Sequence, residues 1–354
     1  MASLQKTLQG IGPLDEKAMK AARERQDSLT KPLGSLGRLE EFSIKVAGIR
    51  GEAMPRLEHK AIIVMAADHG VVAEGVSLYP QEVTPQMVQN FLHRGAGINV
   101  LARHVGARVV VVDMGVAAML EPHPDLVSRK VALGTGNMMR GPAMTREEAL
   151  TAVEAGIEIV EKELEKGLDI IGTGDMGIGN TTASSAITAA ITGEPVARVT
   201  GRGTGIGDRQ LAHKVRVIEE ALKANQPDAN DGPDVLAKVG GFEIGGLVGV
   251  IIGAAAHRIP IVIDGFISGA AALIATRMAP QLRDFLIAAH VSSERGHRVV
   301  LKHLGLKPIL DLQMRLGEGT GAALAIFVVE AALKTLTEMS TFGEAGVSEA
   351  KKME

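Results

Sequence analysis

One carboxylate, Glu318, stands between two glycines in Leu316-Gly317-Glu318-Gly319-Thr320-Gly321, after an apolar run and ahead of a long apolar segment. Its neighbours offer it little side-chain cover, and glycine has no Cβ, so the backbone here can press close to a ligand. Near the positive end of a helix starting at about Thr320, a glutamate suits a general base. It also suits a structural carboxylate that only offsets the helix dipole. A second element, Gly172-Thr173-Gly174-Asp175-Met176-Gly177-Ile178-Gly179-Asn180-Thr181-Thr182, reads as a strand ending at Gly172, a glycine loop, and a helix from Thr181 or Thr182. Glycines at such a junction turn backbone N–H groups toward an anion, and phosphate is the anion expected. The spacing touches a dinucleotide fingerprint, but the ribose-binding acid due about twenty residues on is approximated only by Glu194, ahead of Pro195.

Thr200-Gly201-Arg202-Gly203-Thr204-Gly205-Ile206-Gly207 is another glycine-rich loop leading into a helix. Arg202 and the downstream Lys214 are placed either to neutralise phosphate or to lie in solvent. Two such loops in a chain of net charge −3 point to a nucleotide monophosphate or sugar phosphate rather than a polymer. The lysine-bearing loop of ATPases is absent. Asp264, followed by Gly265, ends an apolar run as a ribose acceptor or a helix N-cap. Ser292-Ser293-Glu294-Arg295-Gly296-His297 reads as a polar loop after an apolar helix. His290 and His297 are seven apart, which is not a ligand spacing, so neither a metal nor a cofactor is expected. His69, beside Asp68, reads as a ligand, an acid or a hydrogen-bonded turn residue. Residues 75–91 could wall a pocket for a flat heteroaromatic, with Gln86 as a polar contact, or simply enter an amphipathic helix.

Positioning these groups requires a frame. Apolar runs at 61–66, 108–113, 168–172 and 260–264 each end in a polar or glycine loop, with helical segments such as 146–166 and 208–225 between them. Uniformly apolar strands alternating with helices indicate a parallel sheet covered on both faces. Ligands then bind beyond the carboxyl ends of the strands, so Asp68, Asp113, the Gly174 loop and Asp264 are expected in one crevice. The first fifty residues read as two helices, 15–27 and 36–50, joined by a basic turn, and the tail 343–354 as a polar, frayed end.

Composition removes whole classes of function. Aromatics are only 2%, Trp is absent and Tyr79 is the single tyrosine, so base-stacking platforms and nucleic-acid binding are not expected. There is no cysteine, which excludes disulfides, thiolate nucleophiles and Cys-ligated metals. Residues 1–20 lack the apolar core of a signal peptide. The apolar stretch 244–274 is interrupted by His257, Arg258 and Asp264, and 321–336 is short and carries Glu330. No membrane span is expected, and a cytoplasmic enzyme is.

Taken in order, Lys31-Pro32-Leu33-Gly34-Ser35-Leu36-Gly37-Arg38-Leu39-Glu40, Ala67-Asp68-His69-Gly70-Val71, Met176-Gly177-Ile178-Gly179-Asn180-Thr181-Thr182, Gly201-Arg202-Gly203-Thr204-Gly205, Asp264-Gly265-Phe266 and Leu316-Gly317-Glu318-Gly319-Thr320-Gly321 resemble one family. It is that of the nicotinate-nucleotide–dimethylbenzimidazole phosphoribosyltransferases of the cobalamin lower-ligand pathway. The resemblance spans nearly the whole chain, and its strings are specific in combination rather than singly.

This resemblance implies an α/β fold: a Rossmann-like parallel sheet flanked by helices over 55–304, with a small helical domain built from both chain ends, 1–50 and 305–354. It implies a homodimer with small-molecule substrates. The implied reaction is inverting: nicotinate mononucleotide and 5,6-dimethylbenzimidazole, or a related base, give α-ribazole 5′-phosphate and nicotinate. Glu318 matches the base that takes the benzimidazole N–H proton. Gly177, Ile178, Gly179, Asn180, Thr181, Arg202, Gly203, Thr204, Gly205 and Lys214 match the phosphate-holding positions, with Asp264 near the ribose. Ser292 falls on the nicotinate side, and Leu78, Tyr79, Gln86, Met176 and Leu316 line the base pocket. The leaving group is already a pyridinium, so neither metal nor acid need assist it. One departure is Asp175, where the family commonly carries glutamate. It is a methylene shorter, so it reads as a secondary acid or base reaching through a water, or as a structural loop residue. Rival readings are a non-catalytic nucleotide sensor, against which an intact Glu318 speaks, and a nicotinamide-dependent oxidoreductase, against which the missing ribose acid speaks.

Overall fold

Among the described residues, runs of Val, Ile, Ala and Met form six strands: β1 (Lys60–Ala67), β2 (Ala107–Gly115), β3 (Leu126–Ser128), β4 (Ile170–Met176), β5 (Ile261–Ile263) and β6 (Leu286–Ala288). The computed structural model describes residues 2–348. Every strand pairing is parallel, in the order β3-β2-β1-β4-β5-β6. Alternation along β1 feeds two separate cores, as a strand's period of two requires. Ala61, Ile63, Met65 and Ala67 pack with the helices Phe242–Ala256 and Arg146–Leu164, whereas Ile62, Val64 and Ala66 pack with Gly97–Val105 and Thr320–Glu338. Both faces are therefore covered, which is what keeps a parallel sheet buried. The strand order reverses direction between β1 and β4, and that switch point is where such sheets open a crevice.

Both chain ends meet on one side. The helices Glu16–Ser28 and Arg38–Arg50 pack on each other and on Thr320–Glu338. Arg25 donates to the carbonyls of Leu336 and Met339, Leu29 bridges to Thr341, and Arg38 donates to the carbonyls of Lys307 and Pro308. Among the described residues one helix, Thr320–Glu338, is long and apolar enough to cross a membrane, but it lies against β4, β5 and its neighbouring helices. The expected frayed tail lies partly outside the described residues; within them, Phe342–Ala345 forms a short helix capped by Thr341.

Three expectations need correction. β4 does not stop at Gly172 but continues to Met176, so the true loop is only Gly177–Gly179 before the helix Asn180–Thr192. The glycines inside β4 serve close approach: a Cβ on Gly174 would run into the Glu318 carbonyl, and one on Gly172 into Ile62 and Ala322. The segment ahead of Ser292 is the strand β6, not a helix; its three residues are too short a run to announce themselves. Finally, Asp68 and Asp113 do not face the crevice. Asp113 holds Lys130 at 2.9 Å and the Gly115 and Val116 N–H groups, while Asp68 accepts from Ala117 at 2.8 Å. Both acids brace the turn that leaves β2.

Candidate active site

A cavity of about 510 Å³ lies beyond the carboxyl ends of β1, β4, β5 and β6. The Thr320–Glu338 helix begins where Gly317, Glu318 and Gly319 turn with φ of 81°, 63° and 90°. A non-glycine residue rarely adopts such a conformation and does so only where its surroundings hold it. Here the surroundings are explicit. Glu318 donates its N–H to the Asp175 carbonyl at 3.3 Å, and Asp264 accepts from Gly319 and Ala322 at 3.3 and 2.9 Å. Asp264 is fully buried behind this turn and does not line the cavity. Burial lifts its pKa to about 7, against the pull of the N–H groups of Ala322, Gly321 and Gly319.

The Glu318 side chain reaches the start of the Gly97–Val105 helix, where Oε2 accepts from Ile98 at 3.1 Å. It is 4% exposed and forms part of the cavity wall. Burial raises its pKa above the ordinary carboxylate value, while the Ile98 and Gly97 N–H groups pull it back. A carboxylate whose pKa is raised in this way holds a proton more strongly than an ordinary one, which suits a general base. Asp175 lies close by, and its Oδ2 accepts from Asn180 at 2.9 Å while Oδ1 has no partner among the described residues. Burial, then the charges of Asp264 and Glu243, hold its pKa well above the usual range.

Across the cavity, the Gly177–Gly179 loop runs into the Asn180–Thr192 helix. Ile178 N–H is held by Thr84 at 3.1 Å, and Thr181 Oγ1 accepts from Lys214 Nζ at 2.7 Å. Lys214 is buried, which lowers its pKa to about 8. Gly203 and Thr204 complete this wall, and Arg315 donates to the Gly203 carbonyl at 3.0 Å. Helix N-terminus, hydroxyl, ammonium and glycine backbone together make an anion site.

Of the residues singled out from sequence, the cavity gathers Glu318, Asp175, Met176, Gly177, Ile178, Gly179, Asn180, Thr181, Gly203, Thr204, Tyr79, Ser292 and Leu316. Lys214 stands behind Thr181, and the Leu78 N–H reaches Thr204 Oγ1 at 3.4 Å. Gln86 is exposed and Gly205 lies at the outer end of its loop. Arg202 turns away, donating to the Ile206 carbonyl at 2.8 Å and pairing with Asp208.

The wall also holds Glu294, His290, Phe266 and Arg315, to which the sequence reading gave no part in the site, and beneath it lies a pair of which only His69 was singled out. That pair is His69 with Glu243, 2.6 Å apart and fully buried, packed under Gly177 and Gly179. Burial works against a charged His69, but the Glu243 carboxylate and then Asp68 outweigh it and raise its pKa. Nothing local marks Glu243 in the sequence, because it sits inside an otherwise apolar helix.

A phosphoribosyltransferase family model matches residues 11–347. The chain is 63% identical over 352 residues to the nicotinate-nucleotide–dimethylbenzimidazole phosphoribosyltransferase of Chloroflexus aggregans, spanning 99% of this chain and 100% of that one. This chain belongs to that phosphoribosyltransferase family. The enzyme of the same name from Geobacter sulfurreducens is 58% identical over 349 residues, with 99% of each chain covered. A crystal structure of the Thermus thermophilus phosphoribosyltransferase of that name superposes with a TM-score of 0.90 at 47% identity, covering 95% of this chain and 100% of that one. The six-stranded parallel sheet is thus the family fold, and the cavity lies at its switch point.

Proposed function

We propose that this chain transfers the 5-phosphoribosyl group from nicotinate mononucleotide to 5,6-dimethylbenzimidazole or a related base, with inversion at C1′. The observation that carries this reading is the pairing of opposite walls: a buried, basic Glu318 on one and the Thr181–Lys214 anion site on the other. The phosphate docks against the Gly177–Thr181 turn, Gly203, Thr204 and Lys214, and the ribose C1′ is thereby directed toward Glu318. Glu318 removes the N–H proton of the incoming benzimidazole as its other nitrogen attacks C1′. The C1′–N bond to nicotinate breaks, and its electron pair neutralises the pyridinium. A positioned base contributes about 10²–10⁴-fold in rate, and holding two substrates in line contributes further. Tyr79, Met176 and Leu316 give the flat base an apolar seat, with Leu78 and Gln86 beside them. Asp175, whose pKa burial and the Asp264 and Glu243 charges hold well above the usual range, stands beside the base as a secondary acid or base.

The packing of both chain ends on one another supports dividing the chain into a small helical domain, 1–50 and 305–354, and a large domain, 55–304. A homodimer in the cytoplasm completes the reading. Incubation with nicotinate mononucleotide and dimethylbenzimidazole, followed by chromatography and NMR, tests it. Free nicotinate with an α-linked ribazole phosphate supports it. No product with dimethylbenzimidazole, adenine or hydroxybenzimidazole, while the nucleotide still binds, would favour a nucleotide sensor.

A further inference from the structure

Glu294 is a buried carboxylate on the cavity wall that the transfer chemistry leaves unused. It is 6% exposed and lines the cavity, and its Oε2, closed off against Gly201, has no hydrogen-bond partner among the described residues. It occupies the N-cap position of the Arg295–Leu304 helix, yet its side chain makes no cap bond. The carboxylate instead packs on Gly201, where a Cβ would run into it. Its backbone is fixed from both sides. The Glu294 N–H donates to Ser292 Oγ at 3.3 Å, and the Ser292 N–H to His297 Nδ1 at 2.9 Å. His297 is a fitting acceptor, because burial drives its pKa down to about 3 and keeps the ring neutral.

A buried carboxylate short of donors is costly unless a ligand supplies one, and the edge of this carboxylate turned away from Gly201 is the one a ligand in the cavity can meet. The substrates offer few. Phosphate and the nicotinate carboxylate are anions that Glu294 repels. The benzimidazole N–H belongs to Glu318, beside Ile98. The ribose 2′- and 3′-hydroxyls remain, and the ribose must lie between the phosphate wall and Glu318. We propose that Glu294 is the ribose-reading residue of this site, its carboxylate accepting hydrogen bonds from the 2′- and 3′-hydroxyls of the nucleotide. This inference rests on the proposed phosphoribosyl transfer. It assigns to Glu294 the role that the sequence resemblance gives to Asp264, whose oxygens are committed to the Thr320–Glu338 helix start.

The rival role is electrostatic, since Glu294 also favours the charged form of Lys214 through space. A substrate–variant cycle separates the two. Equilibrium binding of nicotinate mononucleotide and its 2′-deoxy and 3′-deoxy analogues is measured by calorimetry on the wild type and Glu294→Gln, with thermal melting to verify folding. A carboxylate reading the ribose predicts a loss of about ten- to a hundredfold for the ribonucleotide. It predicts a clearly smaller loss for at least one deoxy analogue, because the hydroxyl that was read is already gone. Equal losses on all three, or none, overturn the proposal. A Gln variant that does not fold shifts the decision to the wild type, where equal affinity for all three nucleotides overturns it and discrimination supports it. Wild-type turnover of nicotinate mononucleotide with dimethylbenzimidazole, measured in parallel, reports on the transfer itself, so the two readings can fail separately.

Discussion

Two glycine-rich loops face each other across the cavity, and they are held in opposite ways. Gly317–Gly319 is locked: three successive residues with positive φ, two N–H groups on Asp264 and Asp175, and β4 pressed against the Glu318 carbonyl. The 202–205 loop is open, with Arg202, Thr204 and Gly205 exposed, Arg315 donating to the Gly203 carbonyl and the Leu78 N–H to Thr204 Oγ1. Proton transfer fails when the base is misplaced by about an ångström, so rigidity belongs on the Glu318 side. A phosphate is bound by charge and by several backbone donors, which tolerate adjustment, and the nucleotide must also enter and leave.

The comparison breaks hardest at its rigid end. Glu318→Gln keeps the hydrogen bond from Ile98 but cannot accept a proton, so kcat is expected to fall by about 10²–10⁴-fold with nucleotide affinity retained. Steady-state kinetics with calorimetric binding checks this, and an unchanged kcat removes Glu318 from the role of base. Gly174→Ala is expected next in size. The added methyl meets backbone, which cannot rotate away, so the Glu318 turn must shift. A loss of about 10²-fold in kcat is expected, with a destabilisation of about 1–3 kcal/mol seen in denaturant melts. Wild-type kcat in this variant would show that the turn adjusts more freely than its contacts imply.

This asymmetry also sets what could be read from sequence. The parallel sheet was legible because β1, β2 and β5 are apolar runs and β4 opens as one, and the Asp208–Asn225 helix because its segment has helical character. The Glu318 turn was legible because an acid between two glycines is a local signal. What escaped depends on contacts distant in the chain. β4 looked finished at Gly172 because its glycines answer to the Thr320–Glu338 helix, about a hundred and fifty residues on. Asp264 looked equally like a ribose ligand or a cap, and only the position of Gly319 and Ala322 shows where its oxygens go. Glu243 and Glu294 carry no pattern at all, since their meaning comes from His69 and Gly201.

On the phosphate wall the expected effects are smaller and fall on affinity. Lys214→Met should raise KM for the nucleotide by about ten- to a hundredfold, leaving kcat within about threefold. The wild type also carries a pH signature of this lysine. Burial lowers its pKa to about 8, so Nζ is charged below that pH and neutral above it. Consequently kcat/KM should decline as pH rises through about 8, and the decline should vanish in Lys214→Met. A decline that persists in the variant assigns the limb to another group.

Arg202 gives the smallest expected effect and the sharpest test of the contrast. Its guanidinium is exposed and committed to the Ile206 carbonyl and Asp208 within its own loop. Exposed ion pairs are worth about 0–1 kcal/mol, so Arg202→Ala should change KM and kcat by no more than about threefold. The comparison with Lys214→Met in one assay is what carries information. A loss as large as that of Lys214 would mean that the loop turns inward on binding and releases Asp208, bringing a second cation to the phosphate. Arg202→Lys would then recover part of the loss, because charge alone is being supplied, and the open wall would prove to be one that closes over its substrate.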